Sequence, residues 1–331
     1  MTTPEGAELC YPRLHNLSCK KTVQPHSEST LICILLSSIS VLTVLLNLLL
    51  IIAISHFKKL HTPTNLLLLS LAFSDFFVGF LMAVPIMLIE GCWYIGDMMC
   101  AVYYILGCIT TAASAGTVVL ISIDRYMAIC DPLHYPTKVT QSRANMCISV
   151  CWVSSMLFHC MVLRDNIKQP GRYNTCYGEC IVVVDYVTGI ADIFFSFVFP
   201  VTVITVLYIR VFVVAVSQAR AMRSQVTAVT LQGSVKVTVN KSEMKAARTL
   251  GVVVIAFLIC LLPYYCVMLT GQDAYIDASK APFLISIYYF NSFLNPLIYA
   301  LFYPWSRESI KLIVTCQILR PGSCYTSFTS H

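Results

Sequence analysis

The chain has 331 residues, of which 57% are hydrophobic and only 11% charged, with a formal net charge of +6. A soluble globular domain carries about 25% charged residues, so a typical cytosolic enzyme is excluded. The high hydrophobicity excludes a disordered chain as well.

Seven apolar stretches, each free of Lys and Arg, are long enough to cross a bilayer, which takes about 20 residues per helix. They fall at 31–55, 64–89, 98–123, 145–163, 186–209, 249–271 and 281–303. The expected fold is an all-α membrane protein. Residues 1–30 form an outer tail, 31–303 a seven-transmembrane-helix bundle, and 304–331 an amphipathic eighth helix with a cytoplasmic tail. The first 30 residues lack a charged start followed by an apolar core, so they read as a tail before a signal-anchor and not as a cleavable signal. No internal repeat is visible. Of the 22 Lys and Arg residues, 15 follow spans one, three, five and seven, and 7 lie on the other side. The positive-inside rule therefore puts the C-terminus in the cytosol and the N-terminus outside. The basic loops face anionic lipid head groups, and the net charge says nothing of nucleic acid.

The spans carry their polar residues at particular depths. Asn16-Leu17-Ser18 is a glycosylation sequon on the outer side, with Asn16 as acceptor. Asn240-Lys241-Ser242 also fits but falls in a cytosolic loop. Span two contains Leu71-Ala72-Phe73-Ser74-Asp75, and span three ends in Asp124-Arg125-Tyr126. Span four carries Trp152. Span six contains Phe257, Cys260, Leu261, Leu262 and Pro263, and span seven contains Asn291, Ser292, Asn295, Pro296 and Tyr299. Of the 16 cysteines, Cys10, Cys19, Cys92, Cys100, Cys176 and Cys180 lie on the outer side, where disulfides persist. Sequence does not fix their pairing. No Cys/His spacing fits a zinc site, and no nucleophile–base set points to an enzyme.

Taken in order on seven spans, these motifs resemble the rhodopsin-like G-protein-coupled receptors along nearly the whole chain. The run from Asn291 to Trp305, the loop Cys92-Trp93-Tyr94-Ile95-Gly96, Cys19, and the pair Cys176 and Cys180 are similar to the trace amine-associated receptors. Ser306 stands where that family usually has Phe. The resemblance implies a plasma-membrane receptor for a small cationic amine, signalling through a stimulatory heterotrimeric G protein to raise cAMP. It also implies disulfides Cys100–Cys180 and Cys19–Cys176, and leaves Cys10 unassigned. A class A receptor for a non-amine ligand and an ion-coupled transporter are the alternatives.

Of the 16 acids, only Asp75 and Asp192 lie well inside spans, where a charge costs at least about 2.5–3.5 kcal/mol. No span offers Lys or Arg to either, so each needs a polar cluster, a cation or a proton. The resemblance implies a sodium site at Asp75 with Ser114, Asn291, Ser292 and Asn295; a hydrogen-bonded polar core without an ion is the other reading. No other cofactor is expected. Asp192 lies about two turns below the outer end of span five, and Ser196 follows at i+4 on the same face. It either anchors the ligand ammonium or lines a cavity in protonated or hydrated form. Amine receptors generally hold the ammonium with an Asp in span three. The corresponding position here is Gly107, so the chain looks like the branch that anchors the amine on span five. Gly107 would leave volume there. Cys108 and Thr111 complete that wall, with Tyr264, Tyr265, Met268, Ile285 and Tyr289 around the ligand.

On the cytosolic side, the resemblance implies that Arg125 pairs with Glu243 in the inactive state, with Asp124 as the alternative partner. Tyr208 and Tyr299 would meet on activation, and Arg125 and Leu133 would contact the G protein. Asp124, Tyr126, Phe257, Pro263 and Pro296 complete the switch set. Leu261 replaces the usual Trp, so Phe257 and Tyr265 would carry the coupling, or activation is harder. Cys316, after an amphipathic stretch at 305–314, is a palmitoylation candidate or a free cytosolic thiol.

Overall fold

The computed structural model describes residues 8–21, 26–87, 91–229, 239–270 and 281–326. Inside a bilayer every backbone N–H and C=O must be satisfied within the chain, which leaves the helix as the economical solution. Span one is the helix His26–His56, span two Pro63–Leu81, span three Asp97–Cys130 and span four Gln141–Val162. Span five runs over Tyr186–Ile193, passes through one π-helical turn at Phe194–Val198 and continues over Phe199–Val229. Span six is Val239–Thr270, span seven Ala281–Phe302, and an eighth helix covers Pro304–Val314. Six of these helices are long and apolar enough to cross a membrane, and span six adds the apolar stretch Val254–Val267. The first helix begins at His26, within the stretch expected to be tail. Span three continues past Asp124-Arg125-Tyr126.

Local chemistry sets the helix starts. Thr62 precedes Pro63, and its hydroxyl accepts from Asn65 N at 3.2 Å; Thr140 accepts from Arg143 N at 3.4 Å. Asp185 accepts from the backbone N–H groups of Val187 and Thr188 at the head of span five. This capping, led by the Thr188 hydroxyl, holds the Asp185 carboxyl below the usual carboxylate range. Asp185 is thereby engaged as a cap.

The bundle is apolar outside and partly polar inside. Met146, Val150, Val153, Leu157 and Met161 form an exposed lipid-facing stripe on span four, whereas Asn47, Ser74, Asp75 and Asn295 are fully buried. The central core joins Leu50, Leu68, Leu71, Val118, Phe257, Leu261 and Tyr299. A second cluster nearer the outer face contains Val78, Met82, Trp93, Tyr103 and Tyr289. On the cytosolic side, Trp305, Leu312 and Ile313 pack the eighth helix against Ala53, Phe57 and Leu60.

Three disulfides tie the outer face together: Cys100–Cys180, Cys19–Cys176 and Cys10–Cys92. The third gives Cys10 a partner in the loop after span two, which sequence had left unassigned. The tail thus crosses the outer face, with Tyr11 donating to the Trp93 carbonyl at 3.3 Å. Asn16 sits exposed in a 3₁₀ turn, Pro12–Leu17, of this tail.

Candidate functional site

Three polar centres lie at successive depths. The outermost is built on Asp192. The π-helical turn begins two residues after it, adding a residue to the helix where the ladder shifts from i−4 to i−5. Ser196 lies in that turn, and its hydroxyl donates to Asp192 Oδ1 at 3.0 Å. The same oxygen faces His159 Nε2 of span four at 3.0 Å. Asp192 Oδ2 has no hydrogen-bond partner among the described residues. The His159 side chain is 2% exposed, while that of Asp192 is 29% exposed. The histidine therefore backs the carboxylate, which remains open.

Sequence reasoning missed His159 because it sought only Lys and Arg as counter-charges. An ionisable residue inside a span was itself the available signal.

Tyrosines line the space beside this carboxylate. Tyr264 and Tyr265 of span six and Cys108 of span three lie close enough to feel its charge. Tyr265 stacks on Phe197 with centroids 4.3 Å apart, and Tyr264 packs on Tyr288 at 4.7 Å. Thr111 lies beside Tyr288, and Tyr103 beside Tyr289. Tyr288 and Tyr103 were not singled out from sequence, where neighbouring aromatics on one helix do not reveal which faces inward. Ile285 packs with the outer cluster. The side chain of Met268 falls outside the described residues.

The Gly107 expectation is corrected. A Cβ built there would lie 3.0 Å from the Tyr289 hydroxyl, so that hydroxyl takes up the room read as open volume.

The middle centre surrounds Asp75. Asn295 Nδ2 donates to Asp75 Oδ2 at 2.8 Å, and Ser292 is within hydrogen-bond reach. The Ser292 carbonyl accepts from Asn47 at 3.1 Å. Asp75 Oδ1, Ser114 Oγ, Asn291 Oδ1 and Asn295 Oδ1 are all buried without a hydrogen-bond partner among the described residues. Native interiors rarely leave such atoms unmet. Four oxygen atoms of this kind suit a hard cation. Leu261, with Phe257 and Tyr265, packs in the central core, and Pro263 and Pro296 lie within continuous helices.

The third centre, at the end of the bundle that carries the eighth helix, holds Arg125. Its partner in the structure is Asp124, reached through Nε at 3.0 Å and through Nη2. Arg125 also donates to Thr64 Oγ1 at 2.7 Å, and Tyr135 donates to Asp124 Oδ1 at 2.8 Å. The Glu243 side chain falls outside the described residues. Tyr208, Tyr299 and Tyr303 have buried hydroxyls without partners among the described residues. Leu133 is 88% exposed beyond the end of span three. Tyr126 is half-buried, and Cys316 is exposed after the eighth helix.

The sequence profile of the 7 transmembrane receptor (rhodopsin family) matches residues 46–299. The chain is 38% identical to trace amine-associated receptor 6 of Pan troglodytes over 345 residues, covering 98% of this chain and 97% of the relative. It is 38% identical to trace amine-associated receptor 6 of Homo sapiens over 344 residues, with the same coverage. Trace amine-associated receptor 8a of Rattus norvegicus is 37% identical over 338 residues, again covering 98% and 97%. The chain belongs to the trace amine-associated receptors.

The receptor is therefore a multi-pass membrane protein of the rhodopsin family and not an enzyme. Within it, the tight approach at Gly107 gives a direct test. Gly107→Ala pushes on the Tyr289 hydroxyl and should lower agonist potency several-fold. The double variant Gly107→Ala/Tyr289→Phe should regain much of that loss. Equal potency of Gly107→Ala and wild type in dose–response curves contradicts this packing.

Proposed function

We propose that the receptor sits in the plasma membrane, N-terminus outside, and responds to small cationic amines whose ammonium is held by Asp192. The observation that carries this is the free Oδ2 of Asp192, open beside Tyr264 and Tyr265. A desolvated ammonium needs a compensating charge, and aromatic faces add about 0.5–2 kcal/mol to its binding. This reading puts the receptor in the branch that anchors the amine on span five. Ser196, Cys108 and Thr111 shape the site with Tyr288 and Tyr289.

A sodium ion fits the buried oxygens of Asp75, Ser114, Asn291 and Asn295, where it would supply the missing counter-charge. Binding then biases the pair held by Arg125 and opens the cytosolic face, where Arg125 and Leu133 meet a stimulatory G protein. Palmitate on Cys316 would anchor the eighth helix, and a glycan on Asn16 would cover the outer tail.

The test is cAMP in cells expressing the chain, challenged with 2-phenylethylamine, N,N-dimethylbenzylamine and 1,5-diaminopentane. A rise over vector controls with at least one of them is expected. Silence to all three at confirmed surface expression overturns the reading.

A further inference from the structure

His159 carries a second message about Asp192. Its Nδ1 lies 2.8 Å from the Ser155 carbonyl oxygen, which can only accept, so Nδ1 bears a proton. Its Nε2 lies 3.0 Å from Asp192 Oδ1. A neutral imidazole protonated at Nδ1 has a bare lone pair at Nε2, and an ionised carboxylate has only acceptors. Two lone pairs do not face each other at that distance without a proton between them. The pair therefore holds one proton, as imidazolium with carboxylate or as imidazole with carboxylic acid. In either form it is electrically neutral.

Among the described residues the surroundings supply no other charge. Asp192 forms no ion pair with Lys or Arg among the described residues, and its one titratable partner is His159. Cys108 of span three and Tyr264 and Tyr265 of span six face the carboxylate, and thiols and phenols are neutral at physiological pH. On span five, Ser196 does not titrate, and Asp185 is engaged at the helix start. On span four, His159 is backed by Ser155.

We propose that His159 is a positioning residue that fills the cation's place at Asp192 in the empty receptor, so that an amine enters by exchange for a proton. The proposal rests on the amine-anchor reading above. The receptor with one proton shared by His159 and Asp192 takes up R–NH₃⁺. It becomes R–NH₃⁺ paired with ionised Asp192, the carboxylate turning from the bare Nε2 of neutral His159 to the ammonium, and one H⁺ leaves for the outer solution, so charge and protons balance. No covalent bond to carbon or nitrogen of the ligand changes. Acid favours the protonated pair and opposes the amine. Apparent affinity therefore rises with pH wherever amine binding releases that proton. The limit for one proton released is about tenfold per pH unit. An alkylammonium stays charged at physiological pH, since it titrates near 10 as Lys does.

The experiment measures agonist potency between about pH 5.5 and 7.5, using whichever of the three amines above is most potent, with forskolin responses correcting for the cAMP machinery at each pH. Wild type should gain potency steadily as pH rises. His159→Gln keeps an amide that donates to Asp192 but does not titrate, and its potency should be flat with pH. His159→Phe, which keeps the ring volume, serves if the Gln variant fails to reach the surface. A purely structural histidine would shift potency without altering the pH slope. A flat wild-type curve, or the same slope in both variants as in wild type, overturns the exchange. If Asp192→Asn abolishes potency at every pH while wild type is flat, the anchor stands and only the exchange falls. If Asp192→Asn keeps full potency, or no amine acts, the anchor reading falls and takes the exchange with it. Nitrogen-15 NMR of histidine-labelled receptor gives a ligand-free check, the His159 signal being the one missing from His159→Gln. Nδ1 should stay protonated throughout; a bare Nδ1 overturns the assignment.

Discussion

Replacing Asp192 with Asn should lower amine potency at least about tenfold at unchanged surface expression. A hydrogen bond to a charged group contributes about 1.5–3 kcal/mol, and each 1.4 kcal/mol is a factor of ten. The substitution isolates charge from shape. Ser196 and His159 both meet the same Asp192 oxygen, so the introduced amide can turn its oxygen to that position and accept from Ser196, or its nitrogen and donate to Nε2 of a neutral His159. The local fold therefore has every reason to persist, and what disappears is the counter-ion of the ligand. Dose–response curves for the three amines, with surface receptor quantified by antibody, provide the measurement. Unchanged potency would remove Asp192 as the anchor.

Asp124→Asn should raise basal cAMP several-fold without agonist. The side chain of Asp124 is 2% exposed and that of Arg125 is 12% exposed, so water screens the pair poorly. Both carboxylate oxygens are engaged, one by Arg125 and Thr64 and the other by Tyr135. Removing one member of a buried pair costs about 3–5 kcal/mol, because the remaining charge is stranded. Asn keeps the acceptor for Tyr135 and removes the attraction for the guanidinium. Arg125 then needs new partners. Tyr208 and Tyr303 are near enough to interact with it electrostatically, and their hydroxyls lack partners among the described residues. Turning toward them moves Arg125 away from Thr64 on span two and toward spans five and seven. Adding Tyr208→Phe to Asp124→Asn should blunt the gain. Basal output that stays level or falls, at matched surface expression, contradicts this account of the resting state.

The two variants probe opposite ends of the bundle, and they differ in how far sequence alone could foresee them. The seven spans and the family were legible because bilayer thickness imposes a length on every helix and the motifs fall in order along those helices. Both signals are written along the chain. Asp75 and Asp192 stood out for the same reason: a carboxylate in an apolar run is costly wherever it points.

What those acids touch was not written there. His159 of span four meets Asp192 of span five, and no periodicity within span four reveals which neighbour its face will find. The same holds at Gly107, where sequence showed a missing side chain and the structure supplied Tyr289 from span seven. Cys10 found Cys92 because the tail folds back over the outer loops, a path that cysteine spacing does not encode. The sequence by itself determined that this chain crosses the membrane as a receptor bundle and which acids lie inside it. The tertiary structure alone decided that Asp192 faces a buried histidine and that Arg125 rests on Asp124. Charges in a low-dielectric interior are governed by atoms within a few ångströms, and those neighbours come largely from other helices.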